Sequence, residues 1–421
     1  MTGVQTCALP IYRYAVVNNG NSTLNIRVIN LSLGAIAKDS YKTDPLCLAA
    51  RRAVNAGIVV VASAGNNGKD YSGNKIYGAI NSPGIDPSVI TVGASNTLGT
   101  DTRSDDVVAS YSSRGPTRGY TTVNGIRKYD NLIKPDLIAP GNKLISASSI
   151  TYANCTANSY TCDKNKLVRD YPTLSADPLY SVPRYMYLSG TSMAAPLVTG
   201  AAAMLLQVNP KLTPNLVKAI LMYSAQPLKG FNMLEQGAGE LKVDGAVRLA
   251  KLVKTTLPTT NGAALLTASL PSSQTSTIAG QTFKWGQGVI TNFGFLSGGN
   301  LMTYWQGVYG SGQVLGDATI YSSGAVKLVS GKTYSISLKA GAYFISGSGQ
   351  VLGDTTNTLF ASGQILGDGQ ILGDGQVLGD GQILGDGQIL GDGTTRSDTT
   401  LKSFSGTSIL GDSTTYMQPA P

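Results

Sequence analysis

The sequence predicts an α/β fold: a doubly wound, mostly parallel sheet followed by a small β-rich C-terminal region with hexapeptide repeats. Three observations carry this. Ile26 to Leu31 reads as a strand, Asp44 to Ala56 as a helix closed by Gly57, and Ile58 to Ala62 (IVVVA) as a continuous apolar strand of the buried parallel kind. Strand, helix and strand in that order make a βαβ unit. Second, the heptapeptide GTSMAAP (190–196) opens an Ala/Gly-rich segment with helical spacing. Third, beyond Thr255 the composition shifts to Gly, Ser, Thr and aromatics, with short alternating runs such as Lys332 to Leu338.

The opening MTGVQTCALPI (1–11) resembles the translation of a sequencing adapter and is expected to stand outside the fold as a non-native leader. The first strand, IRVINL, runs into Ser32, Leu33 and Gly34. The helix after it has Leu46, Ala49, Ala50, Ala53 and Val54 at apolar helical positions. The second strand leads into Ser63, Ala64, Gly65, Asn66, Asn67 and Gly68. After Ser192, the small residues Ala194, Ala195, Gly200, Ala201, Ala202 and Ala203, with Val198, Leu205 and Leu206, suit a helix packed closely on all sides. Pro196 is expected in its first turn, where a missing N–H costs little, and Asn209-Pro210 ends it. Thr213 reads as an N-cap with Pro214 at the first helical position, and Leu241 to Val253 makes a further helix.

Ser192 therefore sits at a helix N-terminus, where free N–H groups and the helix dipole favour developing negative charge. Such a serine suits a hydrolase nucleophile, and taken alone it reads first as a simple N-cap. Asn66 offers an uncharged amide donor for an oxyanion and equally suits a left-handed turn beside glycine.

These segments occur in a fixed order with SPGIDPSVITVGA (82–94), YSSRGP (111–116), KPDLIAPG (134–141) and SGTSMAAP (189–196). Over residues 24 to 253 the chain resembles the subtilisin-like serine proteases, the subtilases. The resemblance implies that Ser192 is the nucleophile of an acyl-enzyme mechanism. It implies that Asn66, with the Ser192 N–H, binds the oxyanion. It implies that Ser32, Leu33 and Gly34 are the strand edge pairing with the substrate backbone, and that Ser63, Ala64 and Gly65 wall a roomy S1 pocket. Pro83 stands where this family often has a cis peptide bond. The chain departs from the pattern in one respect: subtilases order their triad Asp, His, Ser, and this sequence contains no histidine. No Asp-Ser/Thr-Gly or His-Gly-Thr motif precedes IRVINLSLG, so the catalytic partners have no candidates. The expectation is an N-terminally truncated copy, inactive as written, with residues 12–255 a partial subtilisin-like catalytic domain.

Lys and Arg outnumber Asp and Glu by 26 to 15 through residue 256, and the balance reverses to 6 against 9 beyond it, which makes the net +8. The basic excess is spread, with no run of Lys/Arg longer than two, which argues against nucleic acid and leaves polypeptides as the partners. No stretch of some 20 apolar residues is present, so no membrane span is expected. Cys155 and Cys162, in a polar insertion, suit a local disulfide and with it an extracellular, secreted protein whose signal peptide is not visible. No metal site is assigned; a metal pair at these cysteines lacks further ligands.

Residues 256–361 are expected to form a separate β-rich region. In 362–395, Gly-Gln-Ile/Val-Leu-Gly-Asp recurs five times in tandem, followed by a tail over 396–421. A six-residue period with paired aliphatics suits a narrow β-solenoid whose aligned aspartates bind structural Ca²⁺; a flexible Gly-rich linker fits equally. Two functions are compatible with the whole: a secreted serine endopeptidase, or a non-catalytic pseudoprotease or surface-binding protein that uses the repeats.

Overall fold

The computed structural model describes residues 3–19, 24–148, 166–177, 184–260, 262–292 and 295–315, and short strands beyond them. In chain order the first half holds α1 (Gly3–Val17), β1 (Val28–Leu31), β2 (Ala35–Ile36), α2 (Pro45–Asn55), β3 (Val59–Ser63), β4 (Asn81–Ser82), β5 (Ile90–Asn96) and β6 (Val107–Val108). Then follow the hairpin β7 (Tyr120–Val123) and β8 (Ile126–Tyr129), β9 (Leu137–Pro140), β10 (Leu144–Ala147), α3 (Lys166–Asp170) and β11 (Tyr185–Leu188). The helices α4 (Thr191–Val208), α5 (Pro214–Ser224), α6 (Met233–Gln236) and α7 (Val243–Leu252) close this part.

The central sheet is parallel in the order β1, β3, β5, β9, with β6 antiparallel on the end of β5. Its alternation separates two apolar layers. Ile29, Leu31, Val60 and Ala62 pack with α1 and α2, whereas Val59, Val61, Val92 and Ala94 pack with α4, α5 and α7. Helices thus cover both faces, as a doubly wound sheet requires. The predicted signals place the elements. The Asp44 carboxylate accepts from the N–H groups of Leu46 and Cys47 to cap α2, and Gly57 takes φ +86° after it. Thr213 caps α5 through the Leu216 N–H. The Ser82–Pro83 peptide bond is cis.

Residues 3–17 form α1, which buries Tyr12 and Ala15 with Leu46, Ala49 and Ala50 of α2. Two expectations change. The helix that carries Ser192 is not enclosed all round. Ala194, Ala195, Val198, Ala201, Ala202, Leu205 and Leu206 are buried, but Leu197 is 40% and Met204 48% exposed, and Gly200 and Ala203 share their open face. Nor is Pro196 in the first turn. Because α4 starts at Thr191, Pro196 lies in the second turn and stands four residues after Ser192. Among the described residues, α4 alone is long and apolar enough to cross a membrane, and its inner face is packed on the sheet.

Composition sets residues 256 onward apart, yet through Leu315 they share one core with what precedes. Trp285, Val289, Ile290, Leu296, Trp305, Val308 and Tyr309 join the layer of α5 and α7. They are carried in part by the hairpins β12 (Thr275–Ile278) with β13 (Gln281–Lys284) and β14 (Gly288–Ile290) with β15 (Phe295–Ser297). The N–H groups of Gly286 and Gln287 donate to the carbonyls of Ala225 and Tyr223 at the end of α5. Widely spaced large side chains bury against helix positions that leave room for them, as Trp285 does on Gly245. In the repeat array, Ile365–Leu366 pairs in parallel with Val377–Leu378, and Gly369–Leu372 with Gly381–Leu384. Each strand therefore meets the second hexapeptide after its own, not the next one. The repeat aspartates and the Cys155–Cys162 pair lie outside the described residues. The free Cys47 is buried in α2.

At the amino ends of β5 and β9, a buried charge cluster ties the sheet to α5. The Lys134 ammonium donates to Val89 O, Thr91 Oγ1 and Asp136 Oδ2 at 2.9, 2.9 and 2.7 Å. The Lys218 ammonium of α5 donates to Pro87 O and Val89 O at 2.8 and 2.9 Å and pairs with Asp136 Oδ1 at 2.9 Å. Burial alone raises a carboxyl; here the two ammonium groups overcome it and hold Asp136 below the usual carboxylate value.

Candidate active site

The carboxyl ends of β1 and β3 and the N-terminus of α4 meet at one place, the usual location of sites in open α/β sheets. β1 delivers Ser32, Leu33 and Gly34; β3 ends at Ser63 and delivers Ala64, Gly65 and Asn66; α4 begins with Thr191 and Ser192. The candidate site residues Ser32, Leu33, Gly34, Ser63, Ala64, Gly65, Asn66 and Ser192 therefore gather here. Ser63 Oγ donates to Leu33 O at 3.4 Å, and the Gly65 N–H donates to Thr191 Oγ1 at 3.1 Å.

Asn66 is fixed by α4. Its Oδ1 accepts from the Thr191 N–H at 2.8 Å and from the Thr191 hydroxyl at 3.0 Å, capping a helix whose N-cap residue, Gly190, has no side chain to do so. With Oδ1 so engaged, Nδ2 is the half of the amide left to face the helix mouth. A Cβ added at Gly190, which has φ +147°, would stand 3.2 Å from that Nδ2. Glycine thus satisfies both the backbone and the approach of Asn66.

The hydroxyl of Ser192 donates to Ser32 O at 3.2 Å, and the hydroxyl of Ser32 donates to Ser192 O at 2.6 Å. Ser192 Oγ is thus bonded to a main-chain carbonyl, which takes no proton. Asn30 Nδ2 donates to Ser32 Oγ at 3.0 Å, and Thr199 Oγ1 to Asn30 Oδ1 at 2.9 Å.

The turn after β3 is braced by charged side chains. Buried Arg114 donates to Gly68 O at 2.6 Å and pairs at 3.3 Å with Glu235, which also holds Lys75 at 2.6 Å. Sequence reasoning missed Asn81. β4 pairs with β2 and lays Asn81 against both glycine walls: a Cβ at Gly34 would meet Asn81 Cβ at 2.9 Å, and one at Gly65 would meet its amide at 2.9 Å. Asn67 Nδ2 donates to Asn81 Oδ1 at 3.2 Å. A two-residue strand joined to β2 from far along the chain leaves no local signal; the only hint is the pair of glycines facing it.

The arrangement offers an open strand end, a hydroxyl at a helix N-terminus and a fixed amide donor beside it, a combination suited to attack on a carbonyl and stabilisation of the oxyanion. Among the described residues, no cluster of three or more His, Cys, Asp or Glu is placed to hold a metal.

A model of the subtilase family matches residues 8–247. The chain is similar to the serine protease AprX of Bacillus subtilis, 38% identical over 232 residues that make up 55% of this chain and 45% of that one. It is also similar to an extracellular serine proteinase of a Thermus species, 33% identical over 200 residues, 48% of this chain and 33% of that one. Fervidolysin from Fervidobacterium pennivorans matches 62% of this chain and 30% of its own at 26% identity, with a TM-score of 0.39. The chain thus spans less than half the length of these relatives. On the family match across more than half of its residues, the chain belongs to the subtilase family.

Proposed function

We propose that this face is the site of a subtilisin-type serine endopeptidase acting on extended polypeptides. In the reaction of this type a serine hydroxyl, placed as Ser192 Oγ is, attacks the scissile carbonyl carbon, a base carries its proton to the departing amine, and the C–N bond breaks to leave an acyl-enzyme. This chain presents the hydroxyl and no histidine to serve as that base. Asn66 Nδ2 and the Ser192 N–H, one of the first-turn N–H groups that lack an intrahelical acceptor, hold the oxyanion. The main chain of Ser32, Leu33 and Gly34 pairs with the substrate backbone, Ser63, Ala64 and Gly65 wall the S1 pocket, and Asn81 closes its floor with a short amide. The name of the Thermus relative supports secretion.

The observation that carries this reading is the pair of hydrogen bonds from Thr191 to Asn66 Oδ1, which fixes the amide beside Ser192. The histidine that subtilases use as base is absent from the sequence. The chain is therefore proposed to bind extended peptides without turning them over. The test pairs fluorescence-anisotropy binding of a labelled extended peptide with hydrolysis of casein. Binding that survives Ser192→Ala, together with no turnover, is expected. Turnover that Ser192→Ala abolishes would reveal another base and overturn the inactivity; no binding by any extended peptide would overturn the site.

A further inference from the structure

In an α-helix the carbonyl of residue 192 accepts from the N–H of residue 196. Residue 196 is proline, which has no N–H and whose ring crowds the carbonyl four residues back. The Ser192 carbonyl has thus lost its helical donor at the residue assigned as nucleophile. The Ser32 hydroxyl takes that place at 2.6 Å, while the Ser192 hydroxyl returns a bond to Ser32 O at 3.2 Å. Ser32 is itself aimed: Asn30 Nδ2 donates to its Oγ, which leaves the Ser32 proton to point at Ser192 O. Asn30 Oδ1 in turn accepts from Thr199 Oγ1, which lies between it and Ala195 O on α4. The chain of bonds starts on α4, crosses to β1 and returns to α4 at the nucleophile.

We propose that the Ser32 side chain is a positioning residue for Ser192: its hydroxyl supplies the hydrogen bond that Pro196 cannot and so locks the peptide carrying the nucleophile to the end of β1. This rests on the reading of Ser192 as nucleophile, and it gives the Ser32 hydroxyl a role separate from that of the main chain assigned to substrate. Pro196 and Ser32 form a matched pair. With proline at 196, the Ser32 hydroxyl is needed; with an N–H there, it is not.

The experiment is a double-mutant cycle on the full chain with Ser32→Ala and Pro196→Ala, and Ser32→Thr as the conservative variant. Two signals are read. The ¹³C resonance of the Ser192 carbonyl reports its hydrogen bond. The ¹¹B resonance of a peptide boronic acid reports a tetrahedral adduct at the serine oxygen, which Ser192→Ala must abolish. Ser32→Ala is expected to shift the carbonyl upfield and weaken the adduct about three- to tenfold, the contribution of one hydrogen bond. Ser32→Thr is expected to restore both, and in the Pro196→Ala background Ser32→Ala is expected to change neither. Unchanged signals in Ser32→Ala, or equal losses with and without Pro196, would overturn the proposal. If the unaltered chain forms no tetrahedral adduct, the nucleophile reading fails, and the carbonyl resonance still decides whether Ser32 replaces the missing donor.

Discussion

Replacing Asp136 by Asn removes one negative charge from between two buried ammonium groups while keeping the side chain's shape. Asp136 accepts from Lys134 at 2.7 Å, from Lys218 at 2.9 Å and from the Thr91 N–H at 2.7 Å, and none of the three charged side chains is more than 3% exposed. The amide cannot compensate the ammonium groups, and one of its ends presents donors to a donor. Removing one partner of a buried ionic cluster costs about 3–5 kcal/mol, a large part of the roughly 5–15 kcal/mol that holds a domain folded. Lys218→Met should cost less, because it leaves Lys134 and Asp136 as a neutral pair and removes one buried ammonium outright. The assay is urea unfolding followed by the fluorescence of buried Trp285 and Trp305. The pH dependence adds a second reading. Asp136 titrates below the usual 3.8 in the folded chain, so its stabilisation is present above that value and is lost as pH falls through the depressed folded one. Asp136→Asn should lack that acid limb. A loss under about 1 kcal/mol, or an acid limb identical to that of the unaltered chain, would show that the carboxylate does not hold the cluster.

Two further outcomes are expected. Asp106 is pushed up to about 7 by burial and by the neighbouring Glu240 carboxylate, so the folded chain keeps a proton there that the unfolded chain releases near 3.8. The stability linked to this proton is complete below the unfolded value and is lost as pH rises through the folded one, so Asp106→Asn should raise Tm more at about pH 8 than at about pH 5; equal shifts would refute the assignment. On α4, Leu205→Ala should cost about 2–5 kcal/mol and Leu197→Ala no more than about 0.5 kcal/mol. The first is fully buried and the second 40% exposed, so equal losses in urea unfolding would mean that the outer face of the helix is covered in solution.

The parts of this fold legible in sequence are those fixed by neighbours in the chain. Asp44 and Pro45 announce the start of α2, Gly57 its end, and IVVVA the central strand, because caps and apolar runs act over a few residues. The candidate site residues came from the resemblance to the subtilases, and local signals place only where they stand: Ser32 after one strand, Ser63 at the end of another, Ser192 at a helix start. What stayed hidden depends on pairing across the chain. Asn81 reaches the site only because Asn81–Ser82 pairs with Ala35–Ile36, and Trp285 and Trp305 look like isolated aromatics in a Gly-rich stretch until α5 and α7 stand beside them.

The start of α4 shows how a small error of register changes the chemistry. Were the helix capped at Met193 or later, Pro196 would fall among the first N–H groups, which need no intrahelical acceptor, and its ring would cost nothing. With Thr191 already helical, the same proline removes a bond from Ser192 itself. Nothing local distinguishes the two, because Gly190 carries no side chain and the cap comes from Asn66, beyond the end of β3. The residue that fixes where the helix begins is therefore the one assigned to hold the oxyanion, and the residue that repairs the resulting gap, Ser32, lies at the end of the strand proposed to receive the substrate. Stability of the helix start and geometry of the site are then one set of hydrogen bonds, so substitutions at Asn66 or Ser32 should disturb both together.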